Sequence, residues 1–239
     1  ASAQGASTLT VNNGKTLTLT KDGALTVGTT VTNNGTIVVT GSENESGSLI
    51  ATDSNSFNLT YNLYIPASEW KLVGIPVSGL TVNDIDDNLA TNGSKVGIGF
   101  YNSETAAWSV FLSSQTTASI SQTRGYEMMH ASGGVVAFSG ALRTSNRSTI
   151  ATYANKWALL GNPYPSYLRL SDDANGASGT NYFLNSTHLG YLKGTHQAIY
   201  GWDGSAYDVY SNSDASGGNL DHIAPGDAFW VYGNDEETF

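Results

Sequence analysis

The 239-residue chain contains no cysteine, which excludes a disulfide framework, a thiolate metal site and a cysteine nucleophile. Charge is scarce as well: only 13% of residues are Asp, Glu, Lys or Arg, about half the usual share for a soluble domain. The 10 Lys and Arg stand against 20 Asp and Glu, a formal charge of −10, and no basic residues cluster. The chain therefore has no electrostatic footprint for phosphate backbones or anionic lipid, and neither nucleic acid nor a membrane surface is an expected partner. No apolar run is long enough to cross a bilayer, so membrane insertion is not expected either; the longest are 133–138 and 157–160. What is plentiful is 27 Gly, 13 Tyr and abundant Ser, Thr and Asn, the composition of a turn-rich β protein of the secreted kind.

Residues 8–52 repeat a short phrase in which Asn-Gly, Asp-Gly or Ser-Gly precedes an alternating apolar run. The glycines are 14, 23, 35 and 47, followed by Leu17 and Leu19, Leu25 and Val27, Ile37 and Val39, and Leu49. Asn-Gly and Asp-Gly supply the positive φ of tight turns, and Thr/Val alternation at period two fits strands with one buried face. Two architectures share this signature, an antiparallel meander and a short parallel β-solenoid. The spacing of 12 between the last three glycines favours the solenoid, with Leu25, Ile37 and Leu49 as an internal ladder.

Residues 57–239 carry an internal duplication. Trp70–Pro76 matches Trp157–Pro163 at an offset of 87, Tyr101 and Ala107–Phe111 match Tyr200 and Ala206–Tyr210 at 99, and Gly125–Phe138 matches Gly226–Phe239 at 101. The rising offsets place an insertion of 12 residues between Pro163 and Tyr200, in Gly-, Ser- and Asn-rich loop sequence. Each copy reads as β: a short buried strand opening on Trp70 or Trp157 and stopped by Gly and Pro, then a hairpin over 100–111 or 199–210. Only Thr81–Ala90 offers a helical turn, with Asn83 or Asp84 as its cap. The fold class expected is all-β: an N-terminal solenoid-like or meander segment (1–56), then two related, jelly-roll-like β-sandwich units (57–143 and 144–239). In the first copy Phe138 runs on into Ser139–Leu142, so the natural chain is expected to continue past its counterpart Phe239.

Three blocks of the second copy resemble a known module: Trp157-Ala158-Leu159-Leu160-Gly161-Asn162-Pro163-Tyr164-Pro165-Ser166, then Ile199–Asp203, then Ile223–Val231. Their order and content are similar to a recurrent module of secreted and cell-surface proteins of Bacteroidota, which commonly precedes a C-terminal sorting domain for type IX secretion. Ala158 and Asp227 depart from the usual Asn and Gln. The resemblance implies an exported, surface-attached or released multidomain protein, in which such a module accompanies adhesins, repeat proteins or hydrolases. It also implies a partner in the outer-membrane secretion machinery, reached through a sorting domain these residues do not contain.

Catalytic chemistry finds little support. His130, His188, His196 and His222 form no metal-ligand spacing, and no nucleophile elbow, phosphate loop or dinucleotide motif is present. The carboxylates Glu69, Glu104, Glu127, Asp203 and Asp208 fall on or beside expected strands, where a glycosidase would need two of them to converge. Asp84, Asp86 and Asn88 alternate as in a calcium loop, but Leu89 and Lys95 stand where an EF-hand needs Gly and Glu, and a polar turn is favoured. Calcium is thus the one cofactor to consider, and no other is expected.

Glycan contact has a physical basis, because sugars dock apolar faces on exposed rings beside amides and carboxylates. Trp202 lies in the second hairpin turn, where a core role is hard to assign, opposite Ser103 in the first copy; Asp203 and Tyr210 are its expected co-ligands. Tyr200 and Tyr207 are expected in the core. The function expected is a non-catalytic module of an exported surface protein, serving adhesion, glycan contact or spacing. Two alternatives stand beside it: an ancillary domain of a secreted polysaccharide-degrading enzyme or protease, and a self-assembling structural subunit.

Overall fold

A computed structural model describes residues 4–43, 45–52, 56–142, 148–171, 182–202, 205–211 and 222–239. The first six strands are β1 (Gln4–Val11), β2 (Thr16–Leu19), β3 (Ala24–Asn33), β4 (Thr36–Thr40), β5 (Ser48–Ala51) and β6 (Phe57–Ile65). Odd-numbered strands form one sheet, β1-β3-β5, and even-numbered strands run β2-β4-β6 in a second, with every pairing parallel. This is the solenoid, not the meander.

The single ladder expected of Leu25, Ile37 and Leu49 is split between the two sheets. Leu25 pairs with Leu49 in one, whereas Ile37 pairs with Leu17 in the other. Each Gly turn sends the chain across to the opposite sheet, so one coil takes two phrases. Stacked turns also leave no room for a side chain at Gly35, where a Cβ would collide with the carbonyls of Lys15 and Asn12 in the turn below.

Beyond the solenoid lie β7 (Lys71–Val73), two 3-10 turns (Val82–Asp84 and Asp86–Asn88), β8 (Thr91–Asn92), β9 (Lys95–Asn102), β10 (Ala107–Leu112), β11 (Tyr126–Met128) and β12 (Gly134–Leu142). The first copy of the duplication forms the sheet β10-β9-β11-β7, while β12 pairs antiparallel with β6 along its whole length. Strand β6 alternates Phe57, Leu59, Tyr61, Leu63 and Ile65 inward, and one apolar core runs from Val11 to Leu142. The sheet and core are thus continuous across residue 56. The turns at 82–88 are capped by Thr81 rather than by Asn83 or Asp84, with the Asp84 carboxylate reaching back to the Thr81 N–H at 2.7 Å.

The second copy comprises β13 (Trp157–Gly161), β14 (Leu168–Arg169), α1 (Ser186–Tyr191), β15 (Ala198–Trp202), β16 (Tyr207–Ser211), β17 (His222–Ile223) and β18 (Ala228–Tyr232). Its sheet, β16-β15-β18-β13, repeats the first copy strand for strand, and the short β14-β17 pair closes its flank. Helix α1 falls outside Thr81–Ala90, where alone a helical turn is expected; the Asn185 side chain caps it by accepting from the Thr187 and His188 N–H groups. Overall the chain is all-β, with several sheets and no closed barrel.

Cross-strand pairing corrects the match between the copies by two residues in two places. Tyr101 pairs with Trp108 as Trp202 pairs with Tyr207, and Glu127 with Leu72 as Trp230 with Leu159. The counterpart of Trp202 is therefore Tyr101, not Ser103, and that of Trp230 is Glu127. The second hairpin is shorter by one cross-strand pair, so side-chain identity alone sets its arms two residues out of register.

Glu127 occupies a position filled by an indole in the other copy, half-buried and with its carboxylate lying against Gly99. Burial raises its pKa to about 6, above the ordinary 4.5 of a glutamate. Because the folded state holds this proton more tightly than the unfolded chain, stability is lost as pH rises through the window from 4.5 to about 6. The expected loss is about 1 kcal/mol after allowing for solvent screening of a half-buried group. In urea titrations, Glu127→Gln should match the parent at pH 4.5 and exceed it by about that amount at pH 7.5; a pH-independent difference would contradict this.

The copies meet about a local pseudo-two-fold. Val73 bridges Asp227 as Leu160 bridges Arg124, and the Gly74 N–H donates to Gly226 O (3.0 Å) as the Gly161 N–H donates to Thr123 O (3.1 Å). The GNPYPS phrase earns its place here: the buried Asn162 amide lies 2.9–3.1 Å from the carbonyls of Ser166, Ile223 and Ala224 and ties the 223–227 loop to β13. The solenoid joins the same loop through Tyr61, whose buried hydroxyl donates to Pro225 O at 2.6 Å and lies 2.9 Å from Ser46 Oγ. Burial pushes this phenol above its usual pKa range. Tyr61→Phe removes the hydrogen bond to the Pro225 carbonyl and the contact with Ser46 Oγ, and should lower stability by about 1–3 kcal/mol in urea unfolding.

Candidate functional site

The solenoid and the two sheets converge on a cleft of about 410 Å³. One wall is the turn joining β4 to β5, with Ser42, Glu43, Glu45 and Ser46; another is the approach to β7, with Glu69 and Trp70. The third comes from the second copy, with Tyr167, Trp202, Asp208 and His222. Asp208 alternates with Tyr207 and Val209 along β16, so its carboxylate and the Tyr207 ring point to opposite faces, while Trp202, the cross-strand partner of Tyr207, ends β15 at the cleft.

Three rings in this cleft are substantially exposed: Trp70 at 42%, Tyr167 at 41% and Trp202 at 39%. Two of them are braced. Trp202 packs on Tyr207 with centroids 4.9 Å apart, and the Tyr167 hydroxyl lies 3.2 Å from both the N–H and the carbonyl oxygen of Ser46. Two of the acids are already paired, Asp227 with Lys71 at 3.1 Å and Glu45 with Lys21 at 2.7 Å. The Lys21 ammonium, chiefly through its hydrogen bond, lowers the Glu45 pKa. Glu43, Glu69 and Asp208 have no ion pair among the described residues and can accept from ligand hydroxyls. The cleft combines apolar ring faces, hydrogen-bond acceptors and an excess of negative charge.

The expected glycan residues fare differently. Trp202 lines the cleft; Asp203 lies outside the described residues; Tyr210 is a correction. Strand alternation turns Tyr210 into the second core at 1% exposure, where its hydroxyl donates to Ser171 Oγ at 2.7 Å, so it faces no ligand. Trp70, read as core, is exposed in the cleft, and Tyr207, also read as core, is 52% exposed. Of the candidate carboxylates, Glu69 and Asp208 are brought together here, 139 positions apart in the chain, whereas Glu104 and Glu127 are not part of the lining. Tyr167 carried no signal in the sequence beyond being aromatic.

At the calcium candidate, the Asp84 carboxylate accepts from the Thr81 N–H and hydroxyl at 2.7 and 2.8 Å. The Asp86 side chain lies outside the described residues, Asn88 is exposed, and no group of three His, Asp or Glu able to hold a metal occurs among the described residues. These contacts make Asp84 a turn cap rather than a free ligand. Two of the histidines make structural contacts: the His130 Nδ1 accepts from the Ser132 N–H at 3.2 Å, and His188, whose pKa burial lowers, has its Nδ1 2.6 Å from Phe183 O. No family model, curated protein or solved structure matches the chain.

Proposed function

We propose that the chain is a non-catalytic glycan-binding module of an exported surface protein, with the interunit cleft as its site. The observation that carries this reading is the convergence of the exposed rings of Trp70, Tyr167 and Trp202 with the carboxylates of Glu69 and Asp208. Aromatic faces take the C–H faces of pyranose rings, and carboxylates accept from hydroxyls. The Bacteroidota-like blocks support export and surface display, and so do low charge and the lack of cysteine. An ancillary role beside a secreted hydrolase uses the same cleft in the same way, since such a domain contributes by holding substrate.

A panel of immobilised neutral, amino-bearing and acidic oligosaccharides tests the proposal directly. Binding of at least one series, lost in Trp202→Ala and in Trp70→Ala, supports it. Binding to none, or binding indifferent to both substitutions in folded protein, removes it.

A further inference from the structure

The face of the second sheet turned away from its core carries a run of rings across all four strands. Trp202 contacts Tyr207 at 4.9 Å, and Trp157 contacts both Tyr200 and Tyr232 at 4.9 Å. Between them, Tyr101, Trp157, Tyr200, Tyr207, Val209 and Trp230 line a groove of about 510 Å³. At the ordinary strand spacing, four strands carry this run over roughly 14 Å.

Rings serving only to seal the seam between the copies would be buried, as Trp230 is; Tyr207 and Val209 are instead 52% and 55% exposed. The groove thus presents apolar ring faces and, among the described residues, no charged side chain in its lining. It is also continuous with the cleft, since Tyr207 in the groove packs against Trp202 in the cleft, the rings tilted by 59°.

We infer that the groove extends the cleft into one binding track, and that the ligand is an uncharged polysaccharide several sugar units long, laid across β16, β15, β18 and β13. The inference rests on the glycan reading of the cleft. Ring faces of successive sugars stack on the aromatic run. Acidic polysaccharides are disfavoured, because Glu43, Glu69 and Asp208 line one end and no lysine or arginine lines the groove.

Calorimetric titration with cellobiose and cellohexaose, mannobiose and mannohexaose, chitobiose and chitohexaose, and hexagalacturonate tests this. In at least one neutral series the six-unit chain should bind tenfold or more tighter than the two-unit chain, and Val209→Asp should collapse that ratio towards one. Val209 is more than half exposed, so its substitution is compatible with folding, which far-UV circular dichroism verifies. Equal affinity for short and long chains, or a preserved ratio in Val209→Asp, overturns the track while leaving the cleft as a glycan site. Tighter binding of hexagalacturonate overturns the uncharged class. A sedimentation mass that falls on Val209→Asp makes the groove an interface between copies and overturns the inference. Absence of binding by every sugar at every length removes the glycan reading itself.

Discussion

Replacing Gly74 or Gly161 by alanine is expected to lower the melting temperature by about 6–12 °C, the shift that about 3 kcal/mol produces in a chain of this size. These glycines are equivalent in the two copies and stand against each other at the pseudo-two-fold. A Cβ on Gly161 would lie 2.9 Å from the Gly74 Cα and 2.7 Å from the Arg124 carbonyl oxygen. One on Gly74 would strike the Asp227 carbonyl and come within 2.6 Å of the Asn162 nitrogen. All of these are main-chain atoms, held by the reciprocal Gly74 to Gly226 and Gly161 to Thr123 hydrogen bonds. Relief therefore requires the sheets to separate rather than a side chain to rotate. The double variant should cost less than the two single costs combined, because both methyl groups open the same contact. Gly190→Ala, in helix α1 with nothing within 4 Å of its added carbon, is the control and should hold or slightly raise the melting temperature. Calorimetric scans of the four variants and the parent decide the matter; a melting temperature within 2 °C of the parent for both single variants would show that the copies are not locked at this point.

The second large effect is on binding. Trp202→Ala should weaken the affinity for the best glycan of the panel by about 30-fold or more, roughly 2 kcal/mol, as expected of a central aromatic anchor. The indole already packs against Tyr207 at 4.9 Å, so its orientation is set before a ligand arrives and little ordering remains to oppose binding. Trp70→Ala should act in the same direction from the opposite wall. Val135→Ala, at an equally exposed apolar position on β12 and outside the cleft, should leave affinity unchanged. Titration calorimetry, with thermal melts confirming that each variant is folded, checks the result. Undiminished affinity in Trp202→Ala would exclude this ring as the anchor.

Much of the architecture was legible in the chain because it rests on local chemistry. Asn-Gly and Asp-Gly turns with period-two apolar residues specify strands and their spacing, and two ordered sets of blocks specify two sheets of like topology. The site was legible only in part. Trp202 stood out because a turn is a poor place to bury an indole, whereas Trp70 opens the same block as Trp157 and looked like core. Tyr210 misled for the opposite reason: it is near Trp202 in the chain, but as an even-numbered residue of β16 it shares a face with Asp208 and not with Tyr207. Strand β16 has polar or aromatic residues on both faces, so its alternation could not say which face is inside.

By itself the sequence determined an all-β chain, a repetitive N-terminal strand segment whose spacing favoured a coil over a meander, and a duplicated pair of β units, since turn chemistry, side-chain period and internal repetition act over a few residues. Tertiary structure alone decided that a full coil takes two phrases, that the matched glycines abut, and that Glu69, Trp70, Tyr167, Trp202 and Asp208 face one cleft. These depend on cross-strand register and on how one sheet packs against another. A two-residue slip of register preserves the local pattern while changing every partner, so the choice is made by contacts between residues far apart in the chain.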